Sequence, residues 1–201
     1  VREIDTLKYP DLKGFWKEDI ELATLLNGQP AELNKVPYNK ALLASYALFP
    51  IEEGKATVDS YRAKVTVVSG FGKAMTLTKN SENIPILVKP LPKPPANVLF
   101  SGAVGEYQMK ADLDSTSVVA HQPFVVKVHV EGRGNAKQFE LPTLQLPADV
   151  ETYDIKKDSK FFKTGMSYKE FEIYLIPRKE GELVIPSIKT TVFNPRTEKY
   201  E

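Results

Sequence analysis

The dominant pattern along the chain has period two. Phe124, Val126, Val128 and Val130 alternate with Val125, Lys127 and His129, while Tyr107, Met109, Ala111 and Leu113 alternate with Gln108, Lys110 and Asp112. Successive side chains of an extended strand point to opposite faces, so this alternation predicts half-buried β-strands. Similar runs, rich in β-branched and aromatic residues, recur near 39–49, 60–68, 74–78, 168–176 and 182–193. Turn chemistry separates them at Asn27-Gly28, Glu53-Gly54, Gly70 to Gly72, Gly132 to Asn135 and Glu180-Gly181. Only the stretches 18–26 and 156–164 are compatible with helix, and neither is a strong one. The pattern predicts an all-β protein.

The pattern also repeats. YALFPIEEGKATV at 46–58 matches IYLIPRKEGELVI at 173–185 at a constant offset. In each copy an apolar strand ends at a proline, Pro50 or Pro177, and a Glu-Gly pair then leads into another apolar strand. Proline cannot donate to a ladder and so ends pairing, and Gly54 or Gly181 can take positive φ where the chain re-enters the sheet. Upstream, YPDL at 9–12 resembles LPTL at 141–144. The halves therefore read as two copies of one β-sandwich unit. About forty residues of the second copy precede its Pro-x-Leu element, against nine in the first. The first copy is thus expected to lack its opening strands, which exposes a sheet edge.

Between the copies, five prolines fall at 85–95, a third of the 15 in the chain. Such a run favours polyproline II, extended and semi-rigid. Pro90, Pro92, Pro94 and Pro95, followed by Phe100, Gly102 and Gly105, read as a joint that sets a distance and an angle. A proline-rich edge strand, or a ligand for an aromatic groove, are the alternatives. The expected division is a partial N-terminal domain at 1–89, a joint at 90–99 and a C-terminal domain at 100–201.

Bulk properties narrow the chemistry. The 201 residues carry 27 basic and 26 acidic side chains, net +1, interspersed, which leaves no electrostatic footprint for nucleic acid or an anionic membrane. The absence of cysteine excludes thiol catalysis, Cys-ligated zinc and disulfides. The longest apolar run, ALLASYALF at 41–49, is too short to span a bilayer. With no signal-like stretch and a valine first, the chain reads as an excised piece of something longer.

No constellation for catalysis emerges. His121 and His129 would lie roughly 25 Å apart on an extended chain and cannot share a metal. Asp112 and Asp114 share a strand face but lack the dense loop of a calcium site, and Glu53 and Glu180 recur beside the turn glycine of each repeat, as structural residues would. The sequence GRGN, Gly132 to Asn135, reads as a tight turn with Asn135 tolerating left-handed φ. Phe15 and Trp16 are the exception, since an exposed Trp could stack on a sugar or anchor a partner, although a lone Trp in a sandwich is more often core. No cofactor or metal is expected, and the chain reads as a non-enzyme.

These residues carry a family resemblance. VKPLPKPPANVLFSGAVGEYQMKADLD resembles the signature of the BatD family, the bacterial "oxygen tolerance" proteins, with Pro90-Leu91-Pro92 and Phe100-Ser101-Gly102-Ala103-Val104-Gly105. Gly132-x-Gly134-Asn135, Pro142-x-Leu144, Pro177 with Gly181, Ile185-Pro186 and FNPRTEKY at 193–200 follow in order, and GFWKED at 14–19 and LFPIEEG at 48–54 also fit. The resemblance implies tandem immunoglobulin-like domains facing the periplasm, with a signal peptide and an inner-membrane anchor in the full-length protein. It further implies a non-enzymatic scaffold or assembly role beside von Willebrand A-domain proteins and a MoxR-type ATPase. An envelope carbohydrate-binding or adhesion module using Phe15 and Trp16 is the alternative.

Overall fold

A computed structural model describes residues 3–68 and 70–201. The chain is all-β, with an immunoglobulin-like sandwich character, and it divides into two compact units, 1–19 with 26–92 and 20–25 with 93–201. Among the described residues the one helix is a short 3-10 turn at Ala136–Gln138. The stretches at 18–26 and 156–164 that tolerated a helix do not form one. β2 (Phe15–Leu22) crosses the first, and β12 (Val150–Phe161) crosses most of the second. In β12 a full ladder to its neighbour outweighs weak local helix propensity.

In the first unit, β1 (Glu3–Lys8), β7 (Arg62–Val68) and β8 (Ala74–Asn80) form an antiparallel sheet in the order β1-β7-β8. β2 pairs with β5 (Ala44–Pro50), and β6 (Gly54–Val58) pairs antiparallel with β9 (Ile84–Val88). β3 (Gln29–Leu33) and β4 (Val36–Lys40) make a hairpin whose two loop residues, Asn34 and Lys35, have φ of 53° and 63°. Two positive φ values in a two-residue loop match the right-handed twist of the flanking strands. Burial is thin: Val65, 8% exposed, is the buried apolar side chain among the described residues of this unit.

The second unit holds the main core. β10 (Phe100–Leu113), β11 (Phe124–Gly134) and β13 (Met166–Pro177) lie in the order β12-β13-β11-β10, followed by β14 (Thr191–Asn194) and β15 (Lys199–Tyr200). β13 alternates buried and half-buried residues along its whole length, and β11 alternates nearly as strictly. Phe124, Val126, Val128, Val130, Phe171, Ile173 and Leu175 form the floor of the core, and Phe139 and Ala103 close over it. The exposed end of β10 departs from its pattern. Met109, Ala111 and Leu113 alternate as a half-buried face would, yet they are exposed, because no described element lies over that end of the sheet.

β10 serves two sheets. Phe100 and Val104 pair parallel with Thr191 and Phe193 of β14, whereas Gly105 to Leu113 pair antiparallel with β11. The change of partner occurs across a register shift between Phe100 and Val104. Where β10 meets β11 the backbones approach too closely for a side chain. A Cβ on Gly132 would lie 1.9 Å from the Glu106 carbonyl oxygen, and one on Gly105 would lie 2.2 Å from that of Arg133. The Tyr107 ring covers the space that the glycines leave, and burial pushes its phenol well above the ordinary value. Gly132 and Gly134 therefore lie inside β11 rather than in a turn, which corrects the reading of GRGN. Asn135 has φ −100°, not a left-handed value, and its Oδ1 accepts from Lys137 N to cap the 3-10 turn. Glycine is needed here for clearance, a demand set by the opposite strand.

A buried cation holds the segment after that turn. Lys169 occupies an inward position of β13, and its Nζ donates to the carbonyls of Lys137 (2.8 Å) and Phe139 (2.6 Å) and to Glu140 Oε1 (2.8 Å). All three ammonium protons are thus used, which offsets the desolvation of the charge. Glu140 also accepts from Lys157. Partial burial raises the Glu140 carboxyl, but the hydrogen bonds from Lys157 and Lys169 outweigh it and hold the group below its ordinary value.

One predicted strand is largely missing. Of 182–193, only the stretch from Thr191 is ladder-paired. Leu183, Ile185 and Ile188 still pack inward against the core, so the alternation was real. What it lacks is a neighbouring strand among the described residues, and without a ladder an alternating segment is not a strand.

This packing sets what substitutions at its close contacts and its buried cation cost. Gly132→Ala should cost about 3 kcal/mol, the upper end of overpacking costs, in denaturant unfolding. Gly165→Ala, where an added methyl meets nothing but φ is +82°, should cost about 1–2 kcal/mol from left-handed strain alone. Lys169→Met should destabilise by about 3 kcal/mol, against less than about 1 kcal/mol for the exposed Lys157→Met. Because the Glu140 carboxyl is depressed, its contribution is present above its unfolded value and is lost as pH falls through the folded one. The acid limb of the stability profile should therefore be shallower in Lys169→Met than in the parent.

Candidate binding surfaces

The proline segment runs exposed and outside any ladder from Lys89 to Pro95, and the division between the two units falls between Pro92 and Lys93. Pro90, Pro92, Pro94 and Pro95 are all exposed. A turn follows, with Val98 N donating to Pro95 O (3.1 Å), and from there the chain is fixed into the second unit. The Leu99 carbonyl accepts from Thr191 N (2.9 Å) and Thr190 Oγ1 (3.1 Å), Phe100 packs edge-on to Tyr200 at 5.3 Å, and the Ser101 carbonyl accepts from Glu140 N (2.9 Å). Gly102, at φ +82°, leaves room for the Gln138 carbonyl, 3.3 Å from where a Cβ would stand. Pro50 and Pro177 end β5 and β13, Gly54 opens β6 at φ +106°, and Gly181 sits in a bend at φ +126°.

The solvent-facing side of β11, β12 and β13 is a lattice of paired charges and aromatic rings. Lys127 bonds Glu172 (2.8 Å), Tyr174 donates to Glu172 (3.1 Å), and Lys156 lies over the Tyr174 ring at 4.8 Å. Hydrogen bonds from Lys127 and Tyr174 hold the Glu172 carboxyl below its ordinary value. Tyr168 donates to Asp158 (2.7 Å), and its ring stacks on His129 at 5.5 Å. His129 has Glu131 and Glu170 at 3.5 Å on its two nitrogens. This arrangement neutralises charge locally and leaves aromatic edges and hydrogen-bonding groups in water, a composition suited to contact with another protein.

The other ionisable candidates have local structural partners. His121 sits in the loop before β11 at φ 66°, its N–H bonded to the Pro177 carbonyl (2.8 Å). Asp114 exchanges bonds with Val125 through both its backbone N–H and its side chain, closing the β10–β11 hairpin. Asp112 pairs with Lys110 at 2.9 Å. Glu52, Glu53 and Glu180 are exposed beside their turns. Among the described residues, no group of three or more His, Asp or Glu side chains is placed to hold a metal ion. Nor, among those residues, is any helix long and apolar enough to cross a membrane.

In the first unit, Phe15 is half-buried, and Trp16 is 47% exposed with its indole N–H donating to Glu18 Oε1 at 2.6 Å. On the opposite side of β2, Lys17 pairs with Asp19 (2.8 Å) and lies over the Tyr46 ring at 4.7 Å, while Tyr9 and Tyr61 meet edge to face at 5.5 Å. Burial is the main cause that raises the Tyr61 phenol, followed by its neighbouring tyrosines. Sequence reasoning missed this tyrosine group. Its members come from three separated segments, and nothing in the linear pattern joins them.

Residues 111–201 match a family model described as the BatD DUF11 like domain. The match takes in the distal end of β10 and all later strands. The motifs at 14–19, 48–54 and 90–105 that also carried the sequence resemblance lie outside it. No curated protein and no solved structure matches the chain. Gly132, Gly134, Pro142, Pro177 and Gly181 lie within the matched region, and the first two are the residues that let β10 and β11 approach closely. Through this stretch of its C-terminal unit, the chain is similar to the BatD family, a bacterial envelope-associated family.

Proposed function

We propose that this chain is a non-enzymatic scaffold of the Bat system, docking von Willebrand A-domain proteins at the periplasmic face of the inner membrane. The observation that carries this reading is the exposed proline segment, Lys89 to Pro95, which lies outside any ladder between two β-units. A polyproline-like spacer limits the orientations its flanking domains can take. Pre-set orientation lowers the entropy lost when both units engage one partner. The aromatic and charge-paired face around Tyr168 and Tyr174 is a suitable contact surface, and the spacer would set its presentation.

The direct test is a pull-down of the chain against the co-encoded A-domain proteins, with and without divalent metal, since such domains often bind through one. Replacing Pro90, Pro92, Pro94 and Pro95 together with Gly or Ser should leave both units folded and weaken docking about tenfold, through the added ordering cost of a flexible linker. Unchanged affinity would remove the joint from the mechanism.

The exposure of Trp16 favours a second reading, an envelope carbohydrate-binding or adhesion module using Phe15 and Trp16. Trp16 is the single tryptophan, so its fluorescence reports this site alone. On this reading the emission is red-shifted, open to aqueous quenchers, and shifts on titration with envelope glycans. An emission indifferent to glycans would leave the scaffold reading standing alone.

A further inference from the structure

β12 is the outermost strand of its sheet, and among the described residues no strand lies along its other side. Residues 151–158 are exposed. The ladder to β13 shows which backbone groups that edge presents. Phe162 N donates to the Met166 carbonyl (2.8 Å), which closes the turn between the two strands. Bonded and non-bonded pairs alternate from there along an antiparallel ladder. Lys160, Asp158 and Lys156 therefore bond to β13, and the N–H and C=O groups of Ser159, Lys157 and Ile155 point away from it. Beside the register shift between Thr152 and Asp154, Asp154 Oδ1 accepts from Ile155 N (2.8 Å) and caps that end of the edge.

The side chains along this edge follow a rule of their own. Asp154, Lys156, Asp158 and Lys160 stand opposite Tyr174, Glu172, Glu170 and Tyr168 of β13 and share their solvent-facing side. Tyr168 donates to Asp158 (2.7 Å), and Lys156 donates to the Tyr174 hydroxyl (3.3 Å). Acid and base thus alternate at every second position. Reversed in direction, the row Asp-Lys-Asp-Lys becomes Lys-Asp-Lys-Asp, so it is the charge complement of its own antiparallel copy. Lysines and a bulge on an edge strand deter indiscriminate pairing, and this alternation restricts pairing to a complementary row.

Charge also fixes the register. A twofold axis normal to the sheet sets one residue of β12 opposite itself. With the axis at Lys157, Asp154 faces Lys160 and Lys156 faces Asp158, each twice. An axis at Lys156 sets Asp154 against Asp158, and one at Asp158 sets Lys156 against Lys160; like charges directly opposite are destabilising. An axis at Ile155 or Ser159 forms only half of the opposite-charge pairs. On the Lys157 axis the bonded pairs are Lys157 with its copy and Ile155 with Ser159, the residues whose backbone groups point outward. The two Lys157 side chains meet on the other face, where Glu140 neutralises each at 2.7 Å.

We infer that β12 is a self-association edge, which takes a second copy of this chain in antiparallel register about Lys157 and joins two sheets into one. The inference concerns one strand and does not rest on the scaffold reading or on the A-domain partner.

Sedimentation equilibrium of the 201-residue protein should show a reversible monomer–dimer equilibrium that weakens in high salt, since the ion pairs of the seam are exposed. Hydrogen exchange of the unaltered protein should slow at 155–159 as concentration rises. Asp158→Lys sets lysine against Lys156 of the second copy, and Lys156→Asp sets aspartate against Asp158. Each alone should weaken dimerisation about tenfold or more, with little change in melting temperature because both side chains are exposed. An equimolar mixture of the two variants restores opposite charges at those positions and should associate as tightly as the parent. The inference is overturned if the protein stays monomeric, if protection develops elsewhere and not at 155–159, or if the mixture associates no better than either variant alone. The exchange measurement decides the matter even where a variant fails to fold.

Discussion

Where β10 begins its ladder with β11, the two backbones are so close that only hydrogen fits on the α-carbons of Gly105, Gly132 and Gly134. The second unit depends on that approach. It allows one long strand to leave β14 and join β11 within a few residues, without an intervening loop. A methyl on Gly132 would stand closer to the Glu106 carbonyl than any non-bonded contact allows, so the tolerance of this point is close to zero. Tyr107 then fills the volume that the missing side chains leave, which replaces packing lost to glycine.

Around that close approach the unit resolves a second constraint, the burial of a charge. Lys169 stands where the alternation of β13 calls for an apolar residue, and its ammonium is acceptable there because three acceptors converge on it. Two of those are carbonyls of the irregular segment that follows β11. The cation therefore takes the place of a ladder for a stretch of chain that has none, and it positions Phe139 over the core. Among its described residues, the first unit has no equivalent device. Its apolar side chains are mostly half-exposed, which agrees with a thinner set of paired strands.

The exposed proline segment and the charge-neutralised aromatic face of the second unit are the features on which the proposed scaffold reading rests. None of them brings nucleophile, base and oxyanion donor together, and the ionisable groups that attracted notice in the sequence are occupied locally. Asp114 closes a hairpin, and His129 is a stacked member of a charge lattice. The family similarity covers residues 111–201, and the turn and close-approach glycines within that stretch are those that geometry requires.

Period-two alternation in the sequence was enough to determine an all-β chain, the strands β11 and β13 and the inward faces of both. Side-chain alternation is local and needs no knowledge of the fold. The proline segment was legible for the same reason, because proline fixes its own φ. The hairpin at Asn34-Lys35 was legible in principle, since asparagine tolerates the positive φ that a two-residue loop demands, but no glycine marked it. Other features were decided only by tertiary structure. Whether 182–190 forms a strand depends on a neighbour, whether GRGN is a turn or a close approach depends on the opposite backbone, and whether Met109 to Leu113 are buried depends on what lies above them. The tyrosine group in the first unit and the clamp of Lys169 need residues that meet only after folding. A sequence states what each segment can present, and pairing partners, clearance and cover are properties of two segments at once.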